Sequence, residues 1–196
     1  MDPSERARRR SVRVKGFDYS TPGAYFVTIV TQGRAALFGV VREGEMRLSP
    51  TGSIADSCWR EIPVHFLHVE LGSFIVMPNH VHGILILHAT TAAIVGARHG
   101  VPAVPEQRVP ARAHHGAPLP PPAAPGSLGV IVRKYKSSVT RQVIRQFGGP
   151  RNVWQRNYYE HILRDEADWD RVRRYIEANP MNWDKDEENP ERTGTE

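Results

Sequence analysis

Cysteine is nearly absent: Cys58 is the one thiol in 196 residues. A single thiol excludes an internal disulfide and a cysteine-rich zinc centre, and it fits a reducing cytoplasm. No apolar stretch approaches the roughly 18 to 20 residues that span a bilayer. The Arg-rich start runs into polar Lys15 to Thr21 rather than a signal-peptide core, so no membrane partner is expected and a cytoplasmic, nucleoid-associated location is. Acidic residues are the minority, 21 against 26 Lys and Arg, for a formal charge of +5. A basic balance favours a polyanionic partner, which for a soluble protein points to nucleic acid. With 40% hydrophobic and 24% charged residues, the length suits one well-cored domain.

The chain divides into a basic arm (residues 1–23), a folded domain (24–183) interrupted by a Pro/Ala-rich segment at about 97–125, and an acidic tail (184–196) expected to be disordered. Ala24 to Thr31 is β-branched and aromatic, as in a buried central strand. Val40 to Leu48 reads as a hairpin turning at Gly44, and Ser49-Pro50 opens a helix to about Ile62 with Ile54, Ala55, Cys58 and Trp59 at helical spacing. Val64 to Val76 and His80 to His88 read as two strands joined at Met77-Pro78-Asn79. Ser127 is a candidate cap for a helix to about Phe147, closed by Gly148-Gly149-Pro150. Val153 to Leu163 reads as another strand, and Asp165 caps a last helix that stops before Pro180. The order β, α, β, β, α, β, α predicts an α+β fold: a ferredoxin-like or RRM-like antiparallel sheet with helices mainly on one face.

His80 and His82 stand one residue apart in the apolar run from Phe74 to Leu87. Alternate side chains of a strand share a face, so the two imidazoles point the same way. Mg²⁺ or Mn²⁺ accepts imidazole and side-chain oxygen ligands while keeping positions open for phosphate oxygens or water. Near the other end, Tyr175 and Asn179 are four residues apart and stack on one helix face. Asn179 can supply a neutral amide oxygen to the metal, and Tyr175 a phenol beside it. With a reference pKa near 10, that phenol needs a nearby positive charge to act as a nucleophile.

Several boxes in order carry a family resemblance: Arg9-Arg10-Ser11-Val12-Arg13-Val14-Lys15-Gly16-Phe17-Asp18-Tyr19-Ser20 with Gly23 to Thr28; Met77-Pro78-Asn79-His80-Val81-His82-Gly83; Lys136-Ser137-Ser138-Val139-Thr140; Trp154 to His161; and Arg174-Tyr175-Ile176-Glu177-Ala178-Asn179-Pro180. Over about residues 8 to 183, less the proline-rich segment, the chain resembles a REP-associated tyrosine transposase, one of the single-tyrosine HUH transposases. The resemblance implies cleavage and rejoining of single-stranded DNA beside imperfect palindromic, REP-like hairpins through a 5′-phosphotyrosine link. By it, His80 and His82 are the HUH pair, Tyr175 the nucleophile and Asn179 a metal ligand, with Mg²⁺ or Mn²⁺ as cofactor and a monomer or homodimer as the working unit. The insertion after His88 departs from the pattern.

Each residue also has a plainer reading. A lone His-x-His on an apolar strand is usually structural, Tyr175 alone would be a packing aromatic, and Asn before Pro is a common helix end. Arg133, Lys134, Lys136, Arg141 and Arg145 are either the solvated side of an amphipathic helix or, lacking interleaved acids, phosphate contacts. Arg9, Arg10, Arg13 and Lys15 can enter a DNA groove or form a solvated arm. Trp154, Arg156 and Tyr158 suit stacking on unpaired bases or core packing equally, and of Tyr158 and Tyr159 one should be core while the other is free to stack. Glu160 and His161 read as a surface pair, and His99, His114 and His115 as solvated. The rival functions are a hairpin-binding regulator that does not cut, a metal phosphodiesterase that uses water, and a replication or conjugative HUH nuclease.

Overall fold

A computed structural model describes residues 21–89 and 126–192. The basic residues Arg9, Arg10, Arg13 and Lys15, the proline-rich segment 97–125 with its three histidines, and residues 193–196 lie outside the described residues. The described elements are β1 (Gly23–Val30), the β2–β3 hairpin (Gly39–Arg42, Glu45–Leu48), α1 (Pro50–Arg60), α2 (Ile62–His65), β4 (Val69–Val76), β5 (His80–Leu87), α3 (Leu128–Phe147), β6 (Tyr159–Leu163), α4 (Glu166–Ala178) and a 3-10 turn (Pro180–Lys185).

Local chemistry explains the boundaries. Ser49 accepts from the Gly52 amide at 3.0 Å and Pro50 begins α1, while Gly148 in the left-handed region (φ 61°) closes α3. Asp165 accepts from the Asp168 amide at 2.7 Å and starts α4.

Strands β4, β5, β1 and β6 form one antiparallel sheet in that order, the expected α+β class. Parity along β1 separates two faces. Tyr25, Val27 and Ile29 pack with Trp59 of α1 and with Ile131, Tyr135 and Val139 of α3 in the larger core. On the opposite face Phe26 and Ile84 pack with Val172 and Ile176 of α4. Burying the Val172 and Ile176 side chains contributes about 1.5–3 kcal/mol each, which holds α4 to the sheet. Gly83 lets β5 lie against the core: a Cβ there would sit 2.3 Å from Trp59 Cζ2.

Two strand expectations need correction. Strand β4 begins at Val69 because Ile62–His65 form a helical turn. Only the end of Val153–Leu163 is strand: the carbonyls of Gln155, Arg156 and Asn157 turn to the Lys136 ammonium (2.8, 3.4 and 3.0 Å), leaving a single bridge, Thr31 to Trp154. The tail also departs from expectation. Asp186 and Asn189 are buried, and Arg34 pairs with Glu188 at 2.8 Å, so residues 184–192 fold back over the α4 face.

Candidate metal and nucleophile site

The site begins with strand register. Directly opposed residues form one row across the sheet, Tyr159 on β6, Thr28 on β1, His82 on β5 and Ile75 on β4, with His80 one step further along β5 on the same face. The His80 and His82 ring centroids are 4.3 Å apart.

Hydrogen bonds orient both rings. Asn79 Nδ2 donates to the Arg34 carbonyl (3.2 Å) and the Glu188 carbonyl (2.7 Å), which turns its Oδ1 toward His80 Nδ1 at 2.8 Å. The amide oxygen can only accept, so His80 carries its proton on Nδ1 and presents a lone pair at Nε2. That Nε2 is buried and has no hydrogen-bond partner. Thr28 Oγ1 lies 2.9 Å from His82 Nδ1 and Tyr175 Oη 3.2 Å from its Nε2. In the Nδ1–H tautomer the ring donates to Thr28 and accepts from the phenol. Burial, with a smaller contribution from the Arg34 charge, pushes the His80 imidazolium down to about 3. Burial and then the neighbouring His80 hold His82 well below its ordinary value, so both rings are neutral, the form in which imidazole ligates a metal.

Helix α4 brings Tyr175 to this pair. Its ring makes edge contacts with His82 (5.1 Å between centroids) and Phe26 (6.1 Å), and the residue is about half exposed. Burial of the hydroxyl, followed by the charges of Asp186, Glu187 and Glu188, raises the phenol's pKa well above its ordinary value, and a hydrogen bond with Asn179 partly offsets them. One turn on, Asn179 is buried, donates from Nδ2 to Asp186 Oδ2 at 2.8 Å, and leaves Oδ1 without a partner. A cleft of about 240 Å³ beside Tyr175 is lined by Asn179, Asn182, Lys185, Asp186 and Glu187.

The donor set fits a divalent cation. Ligand atoms of His80, His82 and Asp186 all lie within 4.8 Å of one another, and all three residues are buried. Two neutral imidazoles and a carboxylate are common donors to first-row divalent metals, and the unpartnered His80 Nε2 faces no competing hydrogen bond. Asp186 is the residue that sequence reasoning missed, since it lies in a tail expected to be disordered. Its acidic surroundings, Asp184-Lys185-Asp186-Glu187-Glu188, carry no pattern that separates a ligand from a solubilising run.

The expected DNA contacts divide. Arg133, Lys134, Arg141, Arg145 and Arg156 are exposed. A groove of about 730 Å³ on α3 is lined by Arg133, Lys134, Lys136, Ser137, Thr140, Arg141 and Arg151, and because α3 packs on the opposite sheet face it lies across the sheet from His82. Lys136 is corrected: three carbonyls hold its ammonium, while burial pushes its pKa down to about 8. Trp154 is also corrected, being buried against Phe38 and Tyr135 with Nε1 donating to the Lys136 carbonyl at 3.2 Å. Tyr158 packs partly buried on the larger core, and Tyr159 is the exposed member of that pair. His161 is not free surface either, since Asp168 of α4 lies 2.8 Å from its Nε2.

No family model matches the chain. It is 36% identical over 179 residues to an uncharacterized protein of Haemophilus influenzae, covering 91% of this chain and 92% of that one. Among solved structures it is similar to a REP-associated tyrosine transposase bound to a REP hairpin, with a TM-score of 0.51, 17% identity, and coverage of 83% of this chain and 68% of the other. The chain belongs to the family of the Haemophilus protein and has the REP-associated tyrosine transposase fold. Within this transposase fold, the histidine pair sits on a central strand and the tyrosine on the last helix of the same chain.

Proposed function

We propose that the protein is a transposase-type DNA transesterase that cuts and rejoins single-stranded DNA beside REP-like hairpins, with Tyr175 as nucleophile. The observation that carries this reading is the 3.2 Å approach of Tyr175 Oη to His82 Nε2 within one chain. Tyr175 Oη bonds to phosphorus, the phosphorus–O3′ bond breaks, the phenol gives up its proton and the departing 3′ oxygen takes one up. The product is a 5′-phosphotyrosine link and a free 3′ hydroxyl, and reversal by another 3′ hydroxyl rejoins the strand without an external energy source.

His80, His82 and Asp186 would hold Mg²⁺ or Mn²⁺, with Asn179 Oδ1 available beside them. Such an ion supplies positive charge against the phosphate oxygens of the transition state. The chain's own residues orient the rings, hold the phenol over His82 and exclude water from the buried side. Arg133, Lys134, Arg141, Arg145 and Arg156 offer phosphate contacts. The hairpin substrate rests on the resemblance of the sequence boxes and on the DNA carried by the similar solved structure.

The test is a denaturing gel after incubation with Mn²⁺ and hairpin-bearing single strands. Wild type yields a protein–DNA adduct, and Tyr175→Phe yields none while still binding DNA. Cleavage without an adduct in wild type, persisting in Tyr175→Phe, would establish a water-using phosphodiesterase instead.

A further inference from the structure

Tyr159 is a large aromatic left half-exposed, at 49%, on the edge strand of the sheet. It stands in the same row as Thr28 and His82, on the face that carries Tyr175. With strands about 4.8 Å apart, two strand spacings put it about 10 Å from His82. Its ring meets Phe26 edge-on at 6.4 Å, and the same Phe26 meets Tyr175 edge-on at 6.1 Å. One buried ring therefore braces both tyrosines from beneath.

We infer that Tyr159 is a positioning residue: its ring stacks on an unpaired base of the bound strand, next to the phosphodiester presented to Tyr175. The occupant is a nucleobase because the ring offers an apolar face on the same sheet face as a proposed phosphate site, within reach of the nucleotides next to a phosphate held at Tyr175. Stacking of this kind tolerates any base, so Tyr159 sets affinity and placement rather than sequence. The inference rests on the proposed reaction, but its binding readout does not require cutting.

The probe is an oligothymidylate single strand, with fluorescence anisotropy as the binding measurement and thermal melting as the folding control. Tyr159→Leu is expected to raise Kd about five- to 150-fold, with KM for a cleavable strand rising in parallel. Tyr159→Phe and Tyr159→Trp, which keep a ring, should restore binding. The tryptophan introduced by Tyr159→Trp should lose emission when the oligothymidylate binds. Unchanged affinity in Tyr159→Leu, or weakening in Tyr159→Phe as large as in Tyr159→Leu, overturns the proposal. If Tyr159→Leu weakens binding while wild type forms no adduct, stacking stands and the reaction fails; a Tyr175-dependent adduct with unaltered Tyr159→Leu binding means the reverse.

Discussion

The Tyr175 hydroxyl and His82 Nε2 are 3.2 Å apart, so the proposed nucleophile rests on the nitrogen that a metal ion would need. Phenol and ion compete for one lone pair. A hydrogen bond is worth about 0.5–1.5 kcal/mol net, so its removal in Tyr175→Phe should tighten Mn²⁺ binding about two- to tenfold. Calorimetric titration of the metal-free protein measures this directly. A tenfold weakening instead would make the phenol a ligand.

Asn79 sets the tautomer of His80 through one end of its amide and ties down Arg34 and Glu188 through the other. Asn79→Ala should lower Mn²⁺ affinity about 10- to 100-fold and cost about 1–3 kcal/mol of stability. Asn79→Asp keeps an acceptor for His80 but loses both donors, so it should lose stability while retaining more metal affinity. An equal drop in metal affinity in the two variants would refute the orienting role.

Lys136 and the other basic residues of α3 should separate in a salt titration of DNA binding. Replacing Arg133 or Arg141 by Ala lowers the slope of log K against log salt by about 0.7 for each single-strand phosphate that the side chain neutralises. Lys136→Met leaves the slope alone and destabilises the fold by about 1–3 kcal/mol, because the carbonyls of Gln155, Arg156 and Asn157 lose the charged donor that gathers them. A slope change in Lys136→Met without destabilisation would return it to the DNA.

Asp168 links β6 to the tyrosine helix. Burial raises its pKa, but the hydrogen bond and charge of His161, the Arg164 amide and the Arg171 charge outweigh that and hold it below the ordinary 3.8. A depressed carboxylate stabilises the fold above its unfolded pKa, and that stabilisation is lost as pH falls through the folded value. Asp168→Asn should therefore be about 1–2 kcal/mol less stable than wild type at neutral pH, with the gap closing below about pH 4. Denaturant melts at pH 7 and pH 3 would check it; a gap of the same size at both would remove the charge from the explanation.

What was legible in the sequence was periodic or local. Strand parity placed His80 and His82 on one face, the spacing of Tyr175 and Asn179 placed them one helical turn apart, and Ser49, Asp165 and Gly148 marked helix ends through short-range backbone bonds. Long-range polar contacts were not legible. Lys136 looked like one more cation on a helix face because its partners are carbonyls, which every residue has. Asp186 was invisible for a related reason: its burial depends on residues 184–192 returning to the sheet, fastened by Arg34–Glu188 and Asn79–Glu188, contacts spanning more than a hundred positions. Trp154, Arg156 and Tyr158 shared one composition and met different fates because the strand ahead of β6 is broken at the Lys136 carbonyl clamp.

The contact between Gly83 and Trp59 ties two halves of the molecule that otherwise have separate duties. One side of β5 is pressed against an indole in the oily interior, and the other side carries the imidazoles. A methyl group added at position 83 would be a wedge under the very strand that sets the distance between those rings, so a repacked interior registers as altered ion geometry without any change to a ligand.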